Sequence, residues 1–337
     1  MSHSFVGIDI GNTNCKLAVR GSGGIRLISA VMPEIMVSSG AVVAPSIMSS
    51  FLRTVRSNNR IRTHDCALVL AESQSFFRHV SLPKMTINEL KLNLPYEFHD
   101  FIEGDPNDWV YDYAVDDKTP TDNTSDGLEL YAAATKKSLV QNQSSMLHRA
   151  GFHLKAVIPA QMAYSGLLRR YLQAHPEQNG KNAVLVNLGY SNVTVTLFSG
   201  YRFQASKVIE LGCQDIDEAI ADAKGVDRYT ASTFKSSNYE NVLDLPVCHE
   251  IYDRLCVEIN KVVNFYNFSN RGADVNKAFL LGGGAQITQL VSAIRDFSSP
   301  LPIEDIGATL LPEELHKTTN NSLCALAVAA LLEGEAM

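Results

Sequence analysis

The feature that most constrains the fold is a glycine turn at the tip of the first strand. In VGIDIGNTNCKLAV, residues 6–19, an apolar run ends at Asp9 and the chain turns at Gly11. The polar side chains around this turn are Asn12, Thr13, Asn14 and Lys16. Backbone N–H groups, hydroxyls and amides in such a turn can surround a phosphate, and a carboxylate can hold a metal ion. A hairpin turn without a ligand is the alternative interpretation.

Two further glycine turns follow at strand ends and strengthen the phosphate hypothesis. Gly189 lies in VLVNLGYSNVTV, and the triplet Gly282, Gly283 and Gly284 lies in FLLGGGAQI. The first two hairpins can embrace a polyphosphate from opposite domains. The triplet can admit a flat ring, because glycines lack the side chains that would block it. A helix-entry turn without a ligand is the alternative for the triplet.

Composition narrows the class of protein. The chain has 337 residues, 45% of them hydrophobic and 19% charged, and a formal net charge of -7. These values favour a large folded core in two domains over disorder. The negative charge and the lack of a Lys/Arg run argue against nucleic acid as the main partner. Six dispersed cysteines predict a reduced cytoplasmic protein, and the scattered histidines show no metal-ligand spacing.

The sequence predicts no direct insertion into a membrane. The chain enters its first strand without a basic leader or an apolar signal core. The longest apolar stretch, residues 323–332, is too short to span a bilayer. Any membrane role therefore requires a partner.

Hydrophobic periodicity divides the chain into three parts. We predict a first domain from residues 1–72 and 154–178 and a second domain from 179–337, with a helical subdomain at about 213–274. The strand, turn, strand, strand pattern after residue 182 resembles the opening of the chain and suggests a duplicated body. Residues 73–153 form an inserted block, read as strand, helix, strand, strand, helix. Its last two strands flank a polar loop at 116–127.

The inserted block carries local signals of its own. Thr86 and Glu89 have the spacing of a helix-capping box, and Pro95 is expected to interrupt the helix. An apolar stripe comprises Leu90, Leu94, Phe98 and Phe101. We interpret this stripe as core in preference to a partner surface, although partial exposure as a groove stays open.

The three glycine turns, in this order, resemble the phosphate and adenosine motifs of the actin-like ATPase superfamily. ELGCQDIDEAI, which contains Gly212, is similar to a turn that bacterial actins carry after the second phosphate hairpin. Within the superfamily the chain resembles the type IV pilus assembly protein PilM family, related to FtsA. SLPKMTINELKLNLPYEFHDFI, WVYDY and VEINKVVNFYNFSN carry that resemblance. It implies an α/β actin-like fold: two ribonuclease-H-like domains around a nucleotide cleft, with an inserted α+β subdomain of the PilM/FtsA type.

The resemblance also implies ligands and partners. ATP is the expected cofactor, with Mg²⁺ held through the phosphates and Asp9. The implied nucleotide-binding residues are Asp9, Gly11, Asn12, Thr13, Asn14, Lys16, Asn187, Gly189, Ser191, Asn192, Gly212, Glu258, Lys261, Gly282, Gly283 and Gly284. A plain surface ion pair is the alternative for Glu258 and Lys261. The implied partner is the N-terminal cytoplasmic peptide of a PilN-like inner-membrane protein, which would recruit the chain to the inner membrane. The pilus motor ATPase and self-association are further partner hypotheses.

Departures from the family pattern bear on catalysis. The second phosphate motif usually opens with an aspartate, and this chain has Asn187. Ile158 and Ala160 stand where the family has acidic residues. Gln161 can orient a water, but a glutamine that begins a helix is more often only solvated. With Asp9 as the remaining candidate catalytic group, we predict nucleotide binding with slow or absent hydrolysis.

Two other functions are compatible with the turns. A filament-forming actin-like ATPase for plasmid segregation, cell shape or division shares them, but the inserted block resembles PilM and FtsA more closely. A small-molecule kinase needs a carboxylate base aimed at a substrate hydroxyl, and the sequence offers no convincing candidate.

Overall fold

The computed structural model describes residues 5–33, 36–38, 40–116, 127–270, 274–299 and 301–337. Most of the polar loop predicted at 116–127 lies outside these residues. The strands are β1 Val6–Ile10, β2 Asn14–Gly21, β3 Gly24–Val31, β4 Val37–Ser38, β5 Ala41–Val42, β6 Asp65–Leu70, β7 Phe76–Pro83, β8 Trp109–Val115, β9 Gly127–Lys136, β10 His153–Pro159, β11 Asn182–Leu188, β12 Val193–Ser199, β13 Arg202–Ile209, β14 Val275–Leu281 and β15 Ile303–Asp305. The α-helices are α1 Pro45–Asn58, α2 Ile87–Asn93, α3 Lys137–Ala150, α4 Ala160–Ala174, α5 Cys213–Lys224, α6 Arg228–Ser237, α7 Pro246–Ser269, α8 Thr288–Phe297, α9 Ile306–Thr309 and α10 Ala325–Ala336.

Two five-stranded sheets share one strand plan. The first has the order β10-β6-β1-β2-β3 and the second the order β13-β12-β11-β14-β15. In each, the first three strands form antiparallel hairpins, and two later strands add in parallel beside the opening strand. The duplicated plan predicted from the sequence is confirmed. Strands β6 and β10 run parallel to β1, and β14 and β15 run parallel to β11. The turn after each opening strand therefore lies at the edge of its sheet where the parallel strands end.

The closing helix α10 lies directly on the first sheet. Apart from its C-terminal end it is largely buried, and it contacts β1, β6 and α4. A Cβ on Gly7 would lie 1.9 Å from the Ala327 carbonyl oxygen. Glycine at this position therefore lets the backbone of α10 approach the central strand. None of the helices within the described residues is long and apolar enough to cross a membrane.

The inserted block contains a third, antiparallel sheet of order β7-β9-β8. The predicted capping box is present. The Thr86 N–H donates to the Glu89 carboxylate at 2.7 Å. Helix α2 then ends at Asn93, and a 3-10 turn over Leu94–Phe98 contains Pro95, as expected. Leu90, Leu94 and Phe98 are buried, whereas Phe101 is 50% exposed. The core interpretation is therefore right for three members of the stripe and wrong for Phe101.

Helix α3 packs away from the inserted sheet. Met146 and Leu147 are buried in a core formed with β1, β2 and α1, and the Ser49 hydroxyl of α1 donates to the Met146 carbonyl at 3.1 Å. The core of the inserted sheet is separate and includes Val80, Phe98 and Ala132. We propose that the inserted unit ends with β9, at about residue 136, and that α3 belongs to the first domain.

Candidate functional site

The first glycine turn has the predicted strand, turn, strand geometry. The Gly11 N–H donates to the Asn14 carbonyl at 3.1 Å, and Asp9 faces Lys16 across the β1–β2 hairpin. The Lys16 Nζ lies 3.2 Å from the Asp9 Oδ2, and the two side chains are only 12% and 14% exposed. The Asp9 carboxylate is thus balanced by its cross-strand lysine.

The second turn places Asn187 at the position that Asp9 has in the first sheet. Asn187 lies two residues before Gly189 on the central strand β11, and it faces Thr194 across the β11–β12 hairpin. Thr194 thus replaces the lysine of the first hairpin. The second turn therefore lacks both charges of the Asp9–Lys16 pair.

The two turns contact each other. The Asn12 Nδ2 donates to the Ser191 Oγ at 2.5 Å, and the Asn12 Oδ1 accepts from the Gly40 N–H at 3.2 Å. Thr13 donates to the Asn14 side chain, which in turn donates to Ser29. The structure thus brings the two phosphate-type turns together, one from each sheet.

The third turn packs against the second, which gives two of its glycines a structural reason that is independent of any ligand. Gly282 has a φ of +88°, and a Cβ there would lie 2.4 Å from the Asn187 Oδ1. A Cβ on Gly284 would lie 2.7 Å from the Leu188 Cβ. These two glycines are required by the neighbouring protein atoms, whereas Gly283 alone has no atom within 4 Å of a Cβ position. Gly283 is therefore the member of the triplet whose Cβ position is open.

Gly212 joins the same cluster. A Cβ on it would lie 2.4 Å from the Tyr190 carbonyl oxygen, and the following Cys213 N–H donates to the Gly189 carbonyl at 3.1 Å. The Gly212 N–H is capped by the Asp215 carboxylate at 2.7 Å. The second turn, the Gly212 segment and the glycine triplet thus form one close-packed unit.

Tyr164 of α4 marks the point where both sheets meet. Its side chain is buried, and burial raises its pKa well above the usual value, with smaller contributions from the Glu72 and Asp9 carboxylates. The Asn187 side chain acts in the opposite direction. Tyr164 therefore lies among two carboxylates of the first sheet and the amide of the second.

Glu72 is a second carboxylate at this place, and the sequence reasoning missed it. It follows β6, which runs parallel to β1, so its carboxylate lies at the same sheet edge as Asp9. The Glu72 Oε1 accepts from the Thr196 hydroxyl at 3.0 Å, and its Oε2 accepts from the Ser206 hydroxyl. Burial raises the pKa of Glu72, and the two hydroxyls partly oppose that rise. Because Thr196 and Ser206 belong to β12 and β13, Glu72 connects the two sheets.

Gln161 is buried and not solvated, which corrects the interpretation of this residue. Its side chain is only 5% exposed, and its Oε1 has no hydrogen-bond partner among the described residues. It is the second residue of α4, three positions before Tyr164. A buried amide oxygen without a partner is costly, so an incoming donor, such as a water, would be favoured there.

A lysine that the sequence reasoning did not select lies beside the second turn. Lys235 pairs with the buried Asp217 at 2.7 Å and donates to the Cys213 carbonyl at 3.2 Å. Its Nζ lies 5.6 Å from the centre of the Tyr190 ring. Its contacts with Asp217 and Cys213 join α6 to α5, and no local pattern in the sequence indicates them.

Glu258 and Lys261 stand apart from these contacts. They pair with each other at 2.6 Å, with side chains 45% and 64% exposed, on a helix whose other face is buried. Their exposure and their mutual pairing agree with the alternative of a surface ion pair. Within the described residues there is also no group of three or more His, Cys, Asp or Glu residues that could hold a metal ion.

The two five-stranded sheets have equivalent strand orders, and their glycine turns meet between them. This arrangement is an actin-like ATPase fold. The chain belongs to the type IV pilus assembly protein PilM family, whose model matches residues 7–299. A chain of the PilM-PilN type IV pilus biogenesis complex superimposes with a TM-score of 0.80 at 20% identity, covering 98% of both chains. The ethanolamine utilization protein EutJ from Carboxydothermus hydrogenoformans superimposes with a TM-score of 0.58 at 13% identity, covering 97% of this chain and 88% of the other. No curated protein sequence matches the chain.

Proposed function

We propose that this protein is an ATP-binding adaptor of a type IV pilus inner-membrane assembly platform, with slow or absent hydrolysis. Its partner is the N-terminal cytoplasmic peptide of a PilN-like membrane protein, which recruits the chain to the cytoplasmic face of the inner membrane. Family membership and the fold shared with the PilM-PilN complex support the adaptor role. The observation that carries the nucleotide role is the contact between the two glycine turns through Asn12 and Ser191.

The residues of the cleft suit a nucleotide better than they suit its hydrolysis. The turns at Gly11 and Gly189 would supply N–H donors to the phosphates, and Gly283 leaves open space for the adenosine. Mg²⁺ bound through phosphates needs only one or two protein carboxylates, and Asp9 offers one.

Hydrolysis needs a group that polarises water, and each candidate is compromised. The Asp9 carboxylate is paired with Lys16, and the amide of Asn187 cannot act as a base. Glu72 is held by two hydroxyls of the second sheet. Gln161 can orient a water but cannot take its proton. Bound ATP would therefore order the two halves of the molecule rather than turn over.

The helical segment of the inserted block offers the apolar surface that a peptide needs. Beside the buried stripe, Leu92 is 73%, Tyr96 75% and Phe101 50% exposed. The Arg78 guanidinium lies 5.1 Å from the centre of the Phe101 ring, which holds that ring in place. These side chains lie within the ten-residue segment 92–101, and exposed apolar side chains grouped in this way are typical of protein-interaction surfaces.

Calorimetric titration with the synthetic N-terminal peptide of the PilN-like protein tests the adaptor role. The wild-type protein should bind the peptide, and Leu92→Ala/Tyr96→Ala should weaken binding by about tenfold or more. Tyr229→Ala, at an equally exposed tyrosine (71%) on α6 of the second domain, is the matched control and should bind normally. No peptide binding by the wild type, with and without Mg-ATP, would refute the proposal.

A further inference from the structure

A strongly basic surface lies on the first domain, although the chain as a whole has a formal net charge of -7. We define the basic patch as Arg53, Arg56, Arg60, Arg62, Arg149 and Lys155. In segments 53–65 and 148–155 these six cations stand against one acidic residue, Asp65, which gives a local charge of +5. Four of the six cations lie within residues 53–62, and Arg149 and Lys155 join them from a segment more than 80 positions further along the chain.

Contacts show that the two segments form one surface. The Arg53 guanidinium donates to the Arg149 carbonyl at 2.6 Å, and the Arg56 guanidinium lies 3.2 Å from the His64 Nδ1. His64 stacks on His153 with ring centres 5.5 Å apart, and His153 stacks on His148 at 5.8 Å. The patch therefore continues from the end of α1, across the histidine stack, to the end of α3.

Capping of the C-termini of α1 and α3 explains the presence of only some of the cations in the basic patch. Cations near the C-termini of α1 and α3 are favoured by the helix dipoles, and Arg53 satisfies a free carbonyl there. Arg60 and Arg62, however, are exposed, and none of the side-chain hydrogen bonds or ion pairs of the described residues involves them. Their charges are available to a partner.

The patch lies at the edge of the first sheet opposite the glycine turns. It adjoins Asp65 and His153, the first residues of β6 and β10, whereas Asp9 lies near the other end of the parallel neighbour β1. A five-residue strand spans about 17 Å, so a partner on the patch leaves the nucleotide cleft open. An open depression of about 310 Å³ lies next to the histidine stack. It is lined by Ser144, Ser145, His148, Phe152, His153 and Leu154.

We propose that the basic patch binds the anionic headgroups of a phospholipid bilayer. Arginines and hydroxyls above an apolar floor suit a phosphodiester with its glycerol carbons. The choice of a bilayer rests on the proposed function, which brings the chain to a membrane through a peptide. A tethered protein needs only a weak second contact, and each surface arginine strengthens binding to an anionic leaflet by about fivefold. The patch would then orient the adaptor with its cleft away from the lipid.

Sedimentation of the full chain with vesicles tests the proposal. The wild type should bind vesicles that contain phosphatidylglycerol and not vesicles of phosphatidylcholine alone, and added salt should abolish binding. Arg60→Gln/Arg62→Gln should bind about 30-fold more weakly. Arg254→Gln/Arg295→Gln, two exposed arginines of α7 and α8, is the matched control and should bind like the wild type.

Three results would overturn the proposal: no binding to phosphatidylglycerol vesicles, equal losses in both double variants, or tighter binding of a short DNA duplex at the same salt. Titration of Arg60→Gln/Arg62→Gln with the partner peptide separates this proposal from the adaptor role. The lipid proposal predicts unchanged peptide affinity for this variant. Vesicle binding by a wild type that does not bind the peptide would refute the adaptor role and leave the lipid contact standing.

Discussion

Replacement of Glu72 tests whether this carboxylate connects the two sheets. Its oxygens accept from Thr196 and Ser206, and a hydrogen bond to a charged group contributes about 1.5–3 kcal/mol. The penalty for burying the charge offsets part of this, and the two hydroxyls keep their mutual contact at 3.2 Å. We therefore expect Glu72→Ala to lower the free energy of unfolding by about 1–3 kcal/mol. Glu72→Gln, which keeps an acceptor and removes the charge, should be neutral or stabilising at neutral pH.

The pH dependence gives the sharper result. Burial raises the pKa of Glu72 from its ordinary value of 4.5, so the folded protein retains this proton to a higher pH than the unfolded chain. The contribution of Glu72 to the free energy of unfolding is therefore complete below 4.5 and is lost as the pH rises through the raised value. Glu72→Gln lacks this loss and should gain stability relative to the wild type as the pH rises from below 4.5 through the raised pKa of Glu72.

Urea unfolding followed by circular dichroism, at a pH below 4.5 and again at neutral pH, measures the difference. Glu258→Gln, at an exposed carboxylate in a surface ion pair, is the control and should follow the wild type in this range. An increase in the stability of the wild type relative to Glu72→Gln as the pH rises would contradict the raised pKa of Glu72. The reasoning also fails if Glu72→Ala has no effect.

Four further predictions concern the cleft and self-association. Asn187→Asp restores a carboxylate with little change of shape and should raise phosphate release from Mg-ATP by about tenfold or more; a release assay that detects no change would contradict the role given to Asn187. Gly282→Ala should cost about 1–3 kcal/mol of stability and weaken nucleotide binding, because of its positive φ and the contact with Asn187. Gly283→Ala, in open space, should remain as stable as the wild type in urea unfolding. Light scattering with Mg-ATP should stay flat; an ATP-dependent rise would favour the filament hypothesis.

The sequence predicted the elements of this fold because their signals are local. Apolar strands, the Thr86 capping box and the interruption at Pro95 all depend on neighbours within a few residues. The positions of the glycine turns were also predictable, because glycine after an apolar strand commonly marks a tight turn of the chain. The strand, turn, strand, strand pattern, which opens the chain and recurs after residue 182, was sufficient to predict the duplicated plan.

Features that depend on distant contacts were not predictable in the same way. Glu72 and Ser206 are 134 residues apart, and the basic patch combines two segments that show no Lys/Arg run. The packing of α3 on α1 also follows from tertiary contacts that no periodicity reveals. Glu72 was nonetheless within reach of sequence reasoning, because β6 is parallel to β1 and strand ends of this kind share one sheet edge.

Calorimetric titration of the full chain with Mg-ATP, with phosphate release measured in the same sample, tests the central claim most directly. The account predicts saturable ATP binding at one site, slow or no accumulation of phosphate, and subsequent binding of the partner peptide to the ATP-bound protein. Failure to bind ATP would contradict the nucleotide role of the glycine turns. Rapid release of phosphate by the wild type would contradict the proposal that Asn187, Asp9 and Glu72 do not support efficient hydrolysis.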